Sequence, residues 1–289
     1  MEQISKTFDK IKVESNILYI ISTPIGNLGD ISIRALKILS SLNIVICEDT
    51  RITGKLLKYY GIKPAKLLIY NDHSNQKHRQ LIIDKIKHSK NKFGLVSDAG
   101  TPLISDTGYK LVKECMKNMI KVTHVPGASS LTTSLVLSGI PNHNFFFGGF
   151  LEKSIIKRRK QLENALNFKC TSIWYDSPNR LTETLKLITE LNNEALISVL
   201  RELTKINEEV LIGSPSHLLK VISKKTKLKG EIVLMMSYNQ ITTYTKEMIL
   251  DLIKQNYSKL STKELTLHIS NKTGLPKKII YNRILEYKS

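Results

Sequence analysis

The stretch Leu95–Gly108, LVSDAGTPLISDTG, constrains the fold of this chain more than any other. It opens on the end of a short apolar run, Phe93, Leu95 and Val96, which reads as a buried strand. Asp98, Ala99, Gly100, Thr101 and Pro102 follow, five residues that do not continue a strand comfortably. Ser105-Asp106-Thr107-Gly108 is a second turn signal, and a helical pattern begins after it: Tyr109, Leu111, Val112, Cys115, Met116. A strand, a loop of small residues and a helix start make a ligand shelf in an open α/β sheet. Strand ends leave a crevice there and loop amides face it. Ala99 and Gly100 let a ligand come close to the backbone, while Asp98 and Thr101 supply hydrogen-bonding groups. An ordinary βα turn uses the same residue types, so the rest of the chain decides between the two.

Other strand ends carry comparable loops. Ile17–Ile21 reads as a buried strand and runs into Ser22–Asp30, dense in turn residues, with Asp30 or Ser32 placed to cap the next helix. The glycines of this loop have GxxG spacing, which supports neither a nicotinamide fingerprint nor a P-loop. A second strand, Ile44–Cys47, leads directly to Glu48-Asp49-Thr50-Arg51. Two carboxylates, a hydroxyl and an arginine at a strand's end are unusual as mere filler, which makes Glu48, Asp49 and Arg51 candidate catalytic residues. The competing reading makes Asp49 or Thr50 a helix cap and Arg51 a solvated first-turn residue. Lys66–Tyr70 and Lys121–Val125 are further strands, the latter closed by Pro126-Gly127-Ala128-Ser129-Ser130 before the helix Leu131–Ser138. Several small or polar loops thus gather at one edge of a parallel α/β sheet.

After Gly139-Ile140-Pro141 the pattern changes. Asn144–Phe150 is an aromatic strand, Cys170–Tyr175, Ile197–Leu200, Glu209–Ile212 and Glu231–Met236 are further strands, and helices fall at Leu181–Leu191 and Pro215–Ile222. Strand and helix alternate less regularly here, which predicts a mixed sheet. From Tyr244 the chain reads as three basic helices, Lys246–Asn256, Thr262–Asn271 and Pro276–Glu286, the last two at helix-turn-helix spacing. The predicted organisation is a loose tail (1–16), an N-terminal α/β domain (17–127), a C-terminal α/β domain (128–238) and a helical extension (241–289).

The formal charge of +19 points to a polyanionic partner, most simply nucleic acid. The 44 basic residues are 36 Lys and only 8 Arg, so each arginine is the more informative. Lys153–Lys160, KSIIKRRK, carries five basic residues in eight. Lys153, Lys157, Arg158, Arg159 and Lys160 are therefore the expected nucleic-acid contacts, with the Lys224–Lys229 run and the basic extension beside them. A solvated loop and a plain helical cap are the competing readings of the last two. Cys47, Cys115 and Cys170 have no CxxC spacing, which argues against a disulfide framework or a zinc site and fits a reducing cytosol. No run reaches the ~18 apolar residues that span a bilayer.

Taken together the motifs resemble one family, the ribosomal RNA small subunit methyltransferase I branch of the tetrapyrrole methylase superfamily. The resemblance rests on residues 23–30 (TPIGNLGD), 48–51 (EDTR), 96–106 (VSDAGTPLISD) and 126–129 (PGAS), then on Arg158-Arg159, 175–180 (YDSPNR), 201–205 (RELTK) and Gly230-Glu231. It implies a two-domain α/β methylase binding S-adenosylmethionine between its domains, with no metal. It also implies a cytoplasmic homodimer that methylates the ribose 2′-oxygen of a cytidine in 16S ribosomal RNA or the small ribosomal subunit. By motif, Ala99, Gly100, Thr101, Ile104, Ser129, Ser130, Tyr175, Leu203 and Glu231 are the implied cofactor contacts. That branch often has Tyr-His-Glu-His-Asn where this chain has Tyr70-Asn71-Asp72-His73-Ser74, Glu where it has Asp176, and His where it has Asn179. A methylase of a corrin or porphyrin precursor, and a non-catalytic RNA-binding assembly factor, are the two rival functions.

Overall fold

The computed structural model describes residues 8, 10–63, 66–71, 73–225, 228–238, 246–257, 260–273 and 275–288. Asp72, most of residues 1–9 of the expected tail, Thr226 and Lys227 of the basic run, and residues 241–245 lie outside them.

Five short apolar runs become β1 (Ile17–Ile21), β2 (Ile44–Cys47), β3 (Lys66–Ile69), β4 (Phe93–Leu95) and β5 (Lys121–Val125). They form a wholly parallel sheet in the order β3-β2-β4-β1-β5. Alternation along β1 explains why both faces need cover. Leu18 and Ile20 join Ile46, Phe93 and Leu95 on one face, while Ile17, Tyr19 and Ile21 join Val45 and Cys47 on the other. Helices α1 (Ile33–Ser41) and α2 (Thr50–Tyr59) close the second face through Ile38, Leu39 and Leu57. Helices α3 (Gln76–His88) and α4 (Tyr109–Lys117) close the first through Ile82, Ile86, Leu111 and Cys115. Ser32, one of the two candidate caps, accepts from the Ala35 amide at 3.1 Å, while Asp30 ends a short 3-10 turn. Chain order reverses beside β1, so the crevice lies at the carboxyl ends of β4, β1 and β5.

The second sheet contains β6 (Phe145–Phe150), β7 (Thr171–Asp176), β8 (Ile197–Arg201), β9 (Glu209–Gly213) and β10 (Ile232–Met236), in the order β6-β7-β10-β8-β9. Only the β6–β7 pair is parallel, so this sheet is mixed, as its irregular pattern predicts. One face buries Trp174, Leu234 and Met236 under α6 (Ile155–Leu166), α7 (Pro178–Asn192) and α8 (Pro215–Ser223). The other face packs Ile173, Val233 and Met235 against Leu131 and Leu135 of α5 (Ser130–Leu137), and against Ile25 from the loop after β1. Ile25 therefore belongs to the core of the second sheet although it leaves the first. Next to it the Asn27 amide donates to Thr204 Oγ1 at 3.0 Å. A Cβ on Gly26 would overlap the Lys205 side chain and press on Thr204, so only glycine allows this approach.

Residues 239–289 form a separate compact unit from residues 1–238. Its helices α9 (Lys246–Asn256), α10 (Thr262–Thr273) and α11 (Lys277–Lys288) share a core of Ile249, Ile253, Leu265, Ile269, Ile280 and Ile284. Among the described residues no helix is long and apolar enough to cross a membrane. The three cysteines are free thiols, two of them buried.

Candidate active site

A cavity of about 420 Å³ opens at the carboxyl ends of the first sheet, where loops of the second come over it. From the loop after β4 it takes Ala99, Gly100, Thr101 and Ile104, and from the start of α5 Ser129 and Ser130. From the second sheet it takes Tyr175 on β7, Leu203 beyond β8 and Glu231 just before β10. All nine residues expected around a cofactor thus line one cavity. The loop after β4 is held by a backbone exchange with the loop after β1: the Thr23 amide donates to the Gly100 carbonyl at 2.8 Å and the Gly100 amide returns to Thr23 at 3.1 Å. Thr101 Oγ1 donates to the Ala128 carbonyl at 3.1 Å, and Ser22 Oγ lies 2.9 Å from it and 3.1 Å from His124 Nε2. The small residues after β4 and β5 are therefore locked before any ligand arrives.

Several polar groups line the cavity, Asp98, Asp106, Tyr175, Asp176 and Glu231 among them. Asp98 lines it, and burial pushes the carboxyl above its ordinary pKa, with Asp49 and Asp106 adding to the rise. Its Oδ1 is buried and makes no hydrogen bond. An acceptor left this way costs free energy until a donor reaches it. Tyr175 accepts a hydrogen bond from Ser130 Oγ at 2.8 Å, which ties β7 to the start of α5 across the cavity. Burial raises the Tyr175 pKa, so its phenol stays protonated at working pH. Glu231 Oε2 accepts from Lys205 Nζ at 3.1 Å, and Lys205 also donates to Glu202 at 2.8 Å.

The Glu48-Asp49-Thr50-Arg51 stretch sits beside the cavity and does not line it. Asp49 is the N-cap of α2 and accepts from the Arg51 amide at 2.8 Å. Its other oxygen takes Arg51 Nη2 at 2.6 Å, and these bonds hold its pKa down to about 2. Such a carboxylate is a weak proton acceptor. Glu48 is exposed. The Asp49 backbone also hydrogen-bonds the Asp98 carboxyl, which links this stretch to the cavity wall.

The basic stretch divides. Lys153, Lys157 and Lys160 are exposed on α6 or just before it, with no ion pair among the described residues. Arg159 is half-exposed and bound to Glu163 at 3.0 Å and Glu190 at 2.7 Å. Arg158, expected on the RNA face, is fully buried and paired with Glu183. The cause is helical periodicity: Arg158, Leu162 and Ala165 fall on one side of α6, and that side faces the core. Phe150 also lines the cavity, and no motif pointed to it. The Gly148-Gly149 pair ahead of Phe150 is the signal that could have found it, since paired glycines in a strand mark a bulge.

A parallel sheet and a mixed sheet meeting over one switch-point cavity have counterparts among known proteins. Residues 17–218 match the family model for Tetrapyrrole (Corrin/Porphyrin) Methylases, so fold and cavity define a methylase of that class. A Rickettsia prowazekii (strain Madrid E) protein named ribosomal RNA small subunit methyltransferase I is 45% identical over 222 residues, 77% of this chain and 78% of that one. A Thermotoga maritima protein of the same name is 41% identical over 220 residues, 76% of this chain but 97% of its own length. The chain belongs to the ribosomal RNA small subunit methyltransferase I family. Among solved structures, diphthine synthase is similar with a TM-score of 0.59 over 76% of this chain and 89% of that one; at 12% identity the likeness concerns the fold alone.

Proposed function

We propose that the protein transfers a methyl group from S-adenosylmethionine to the ribose 2′-oxygen of a cytidine in 16S ribosomal RNA. One observation carries the reading: nine residues named from their motifs converge on a single cavity in a chain of this family. The residues present fit the donor. Asp98 Oδ1 lacks a partner and suits a hydroxyl or ammonium; Ala99, Gly100, Ser129 and Ser130 leave room; Ile104, Tyr175 and Leu203 make apolar walls. Once bound, the cofactor supplies a methyl carbon carried on a positively charged sulfur. The chain's own part is mainly to hold donor and hydroxyl in line, which provides much of the acceleration of a displacement.

Proton handling falls to the stretch beside the cavity. Glu48 takes or orients the proton of the ribose hydroxyl, a better candidate than Asp49 with its pKa of about 2. Arg51, exposed and tied to Asp49 by an ion pair that costs little to open, exchanges it for a phosphate of the RNA. Glu48→Gln is expected to lower kcat at least tenfold with donor affinity unchanged. Asp49→Asn is expected to lower kcat less and to leave stability nearly unchanged, because asparagine caps a helix about as well as aspartate. Near-normal turnover in both variants would end the catalytic reading of this stretch.

RNA docks through Lys153, Lys157 and Lys160, with the helical extension adding affinity. The extension has nine Lys and Arg against four Asp and Glu from residue 244 onward. A 220-residue match that fills 97% of the Thermotoga maritima relative has room for the body of this chain but not for body and extension together. That supports an accessory role for the extension. Charge reversal of Lys153, Lys157 and Lys160 should weaken binding to small ribosomal subunits and flatten its dependence on log salt, by roughly 0.7–0.9 for each phosphate that is no longer neutralised. Reversal of Lys277 and Lys278 should do the same to a lesser degree. Unchanged binding would refute either assignment. We place the enzyme in the cytoplasm, where its free thiols stay reduced, and read it as a homodimer, for which exposed Tyr109, Met116 and Met119 on and after α4 offer an apolar face.

The deciding experiment incubates the protein with labelled donor and either small ribosomal subunits or a tetrapyrrole, then maps ribose methylation in the RNA by mass. Methyl on a cytidine 2′-oxygen supports the proposal. Transfer to the tetrapyrrole alone, or donor binding with no transfer, would replace it.

A further inference from the structure

We propose that Phe150 is the platform on which the target nucleobase stacks while its ribose is methylated, an inference that rests on the RNA reading above. The ring lines the cavity and is 61% exposed, so it stands at the mouth with one side open to solvent. Its position is the product of a specific irregularity. Along a regular strand, residues three apart point to opposite faces. Phe147 and Phe150 nevertheless both pack edge-on against the ring of Tyr175, each with centroids 5.2 Å apart. The β6–β7 register shifts between them, and Gly149 sits at φ 68°, a conformation that side chains rarely adopt. This bulge turns Phe150 back to the cavity side. Tyr175, held by Ser130, stiffens the ring from behind.

The surroundings indicate what the open side receives. Lys153 and Lys157 follow within a few residues, exposed and without ion pairs among the described residues. An aromatic face followed in the chain by exposed lysines suits an unpaired nucleotide, whose base stacks while its phosphates meet cations. A ribose hydroxyl in a folded RNA reaches an enclosed cavity only if its nucleotide leaves the helix stack, and an unstacked base is stabilised by a new aromatic partner. Holding the base at the mouth sets the attached ribose over the cavity.

The test uses the full-length protein with Phe150→Ala, Phe150→Leu and Phe150→Trp. Donor affinity is measured by calorimetry and kcat/KM with small ribosomal subunits. The proposal expects Phe150→Ala to lower kcat/KM about tenfold or more, with donor affinity within twofold of wild type. Phe150→Trp restores the rate and Phe150→Leu does not. Full activity of Phe150→Ala, equal rescue by leucine, or a matching loss of donor affinity would each overturn it. Wild-type protein that methylates no small subunit would sink the RNA reading, and this inference with it; active wild type with an indifferent Phe150→Ala sinks the inference alone.

Discussion

Replacing Asp98 with asparagine should weaken S-adenosylmethionine binding roughly ten- to hundredfold while leaving the protein folded. The substitution keeps the shape of the side chain and removes its charge. Asp98 lines the cavity and its Oδ1 is buried without a partner, so on the proposed reading a donor group on the cofactor would meet an acceptor that has been stripped of water. Hydrogen bonds to charged groups contribute about 1.5–3 kcal/mol, which sets the expected range. Calorimetry on wild type and variant reads it directly, and equal affinities would remove Asp98 from the site.

The pH dependence gives a second signature of the same group. Burial raises the Asp98 pKa above its ordinary 3.8. On the proposed reading the cofactor would need the ionised form as acceptor, so wild-type affinity should fall as pH drops through the raised value, and the asparagine variant should stay flat. The stability of the free protein runs the other way. A raised folded-state pKa means that the stability contributed by protonated Asp98 is present below 3.8 and lost as pH rises through the folded value. The variant escapes that loss, so at neutral pH its melting temperature should match or exceed that of ligand-free wild type. Weaker binding without weaker folding separates a ligand contact from a packing role.

Why the fold is legible in the sequence and parts of the site are not follows from what each residue answers to. β1 and β5 occupy Ile17–Ile21 and Lys121–Val125, the runs expected from the sequence, because a strand flanked by turn residues is recognisable locally. The cavity residues Ala99, Gly100, Ser129 and Ser130 are legible because parallel sheets place ligands at strand ends, and strand ends are visible as small-residue loops. Asp49 supports two readings in the sequence, and the structure realises the cap. Whether Glu48 also works on a proton depends on a bound ribose, which no local pattern encodes. Phe150 is hidden because the Gly148-Gly149 pair marks a bulge without telling to which face the next residue turns. Asp98 is visible as a rim residue, but its unpartnered oxygen depends on contacts from several loops at once.

Arg158 is where rarity misleads, and it carries the second large effect. In a lysine-rich chain a retained arginine suggests a phosphate fork, yet this one is fully buried against Glu183 with Nε and Nη1 making no hydrogen bond. A buried charge with unmet donors specifies structure more than it stabilises it, and well-packed apolar replacements of such pairs are often neutral or better. Arg158→Glu should therefore be severe: it removes the cation and sets a second carboxylate next to Glu183. A loss of about 3–5 kcal/mol is expected, which in a protein of this size lowers the melting temperature by roughly 10 °C. Arg158→Met should melt close to wild type, because Glu183 is half-exposed and can turn to water. The same methionine variant should bind small ribosomal subunits with unchanged affinity and an unchanged salt slope, whereas Lys157→Glu should reduce both. A folded Arg158→Met protein that loses RNA binding would mean that the guanidinium reaches the surface in the complex, and α6 would then have to rotate its buried face outward to present it.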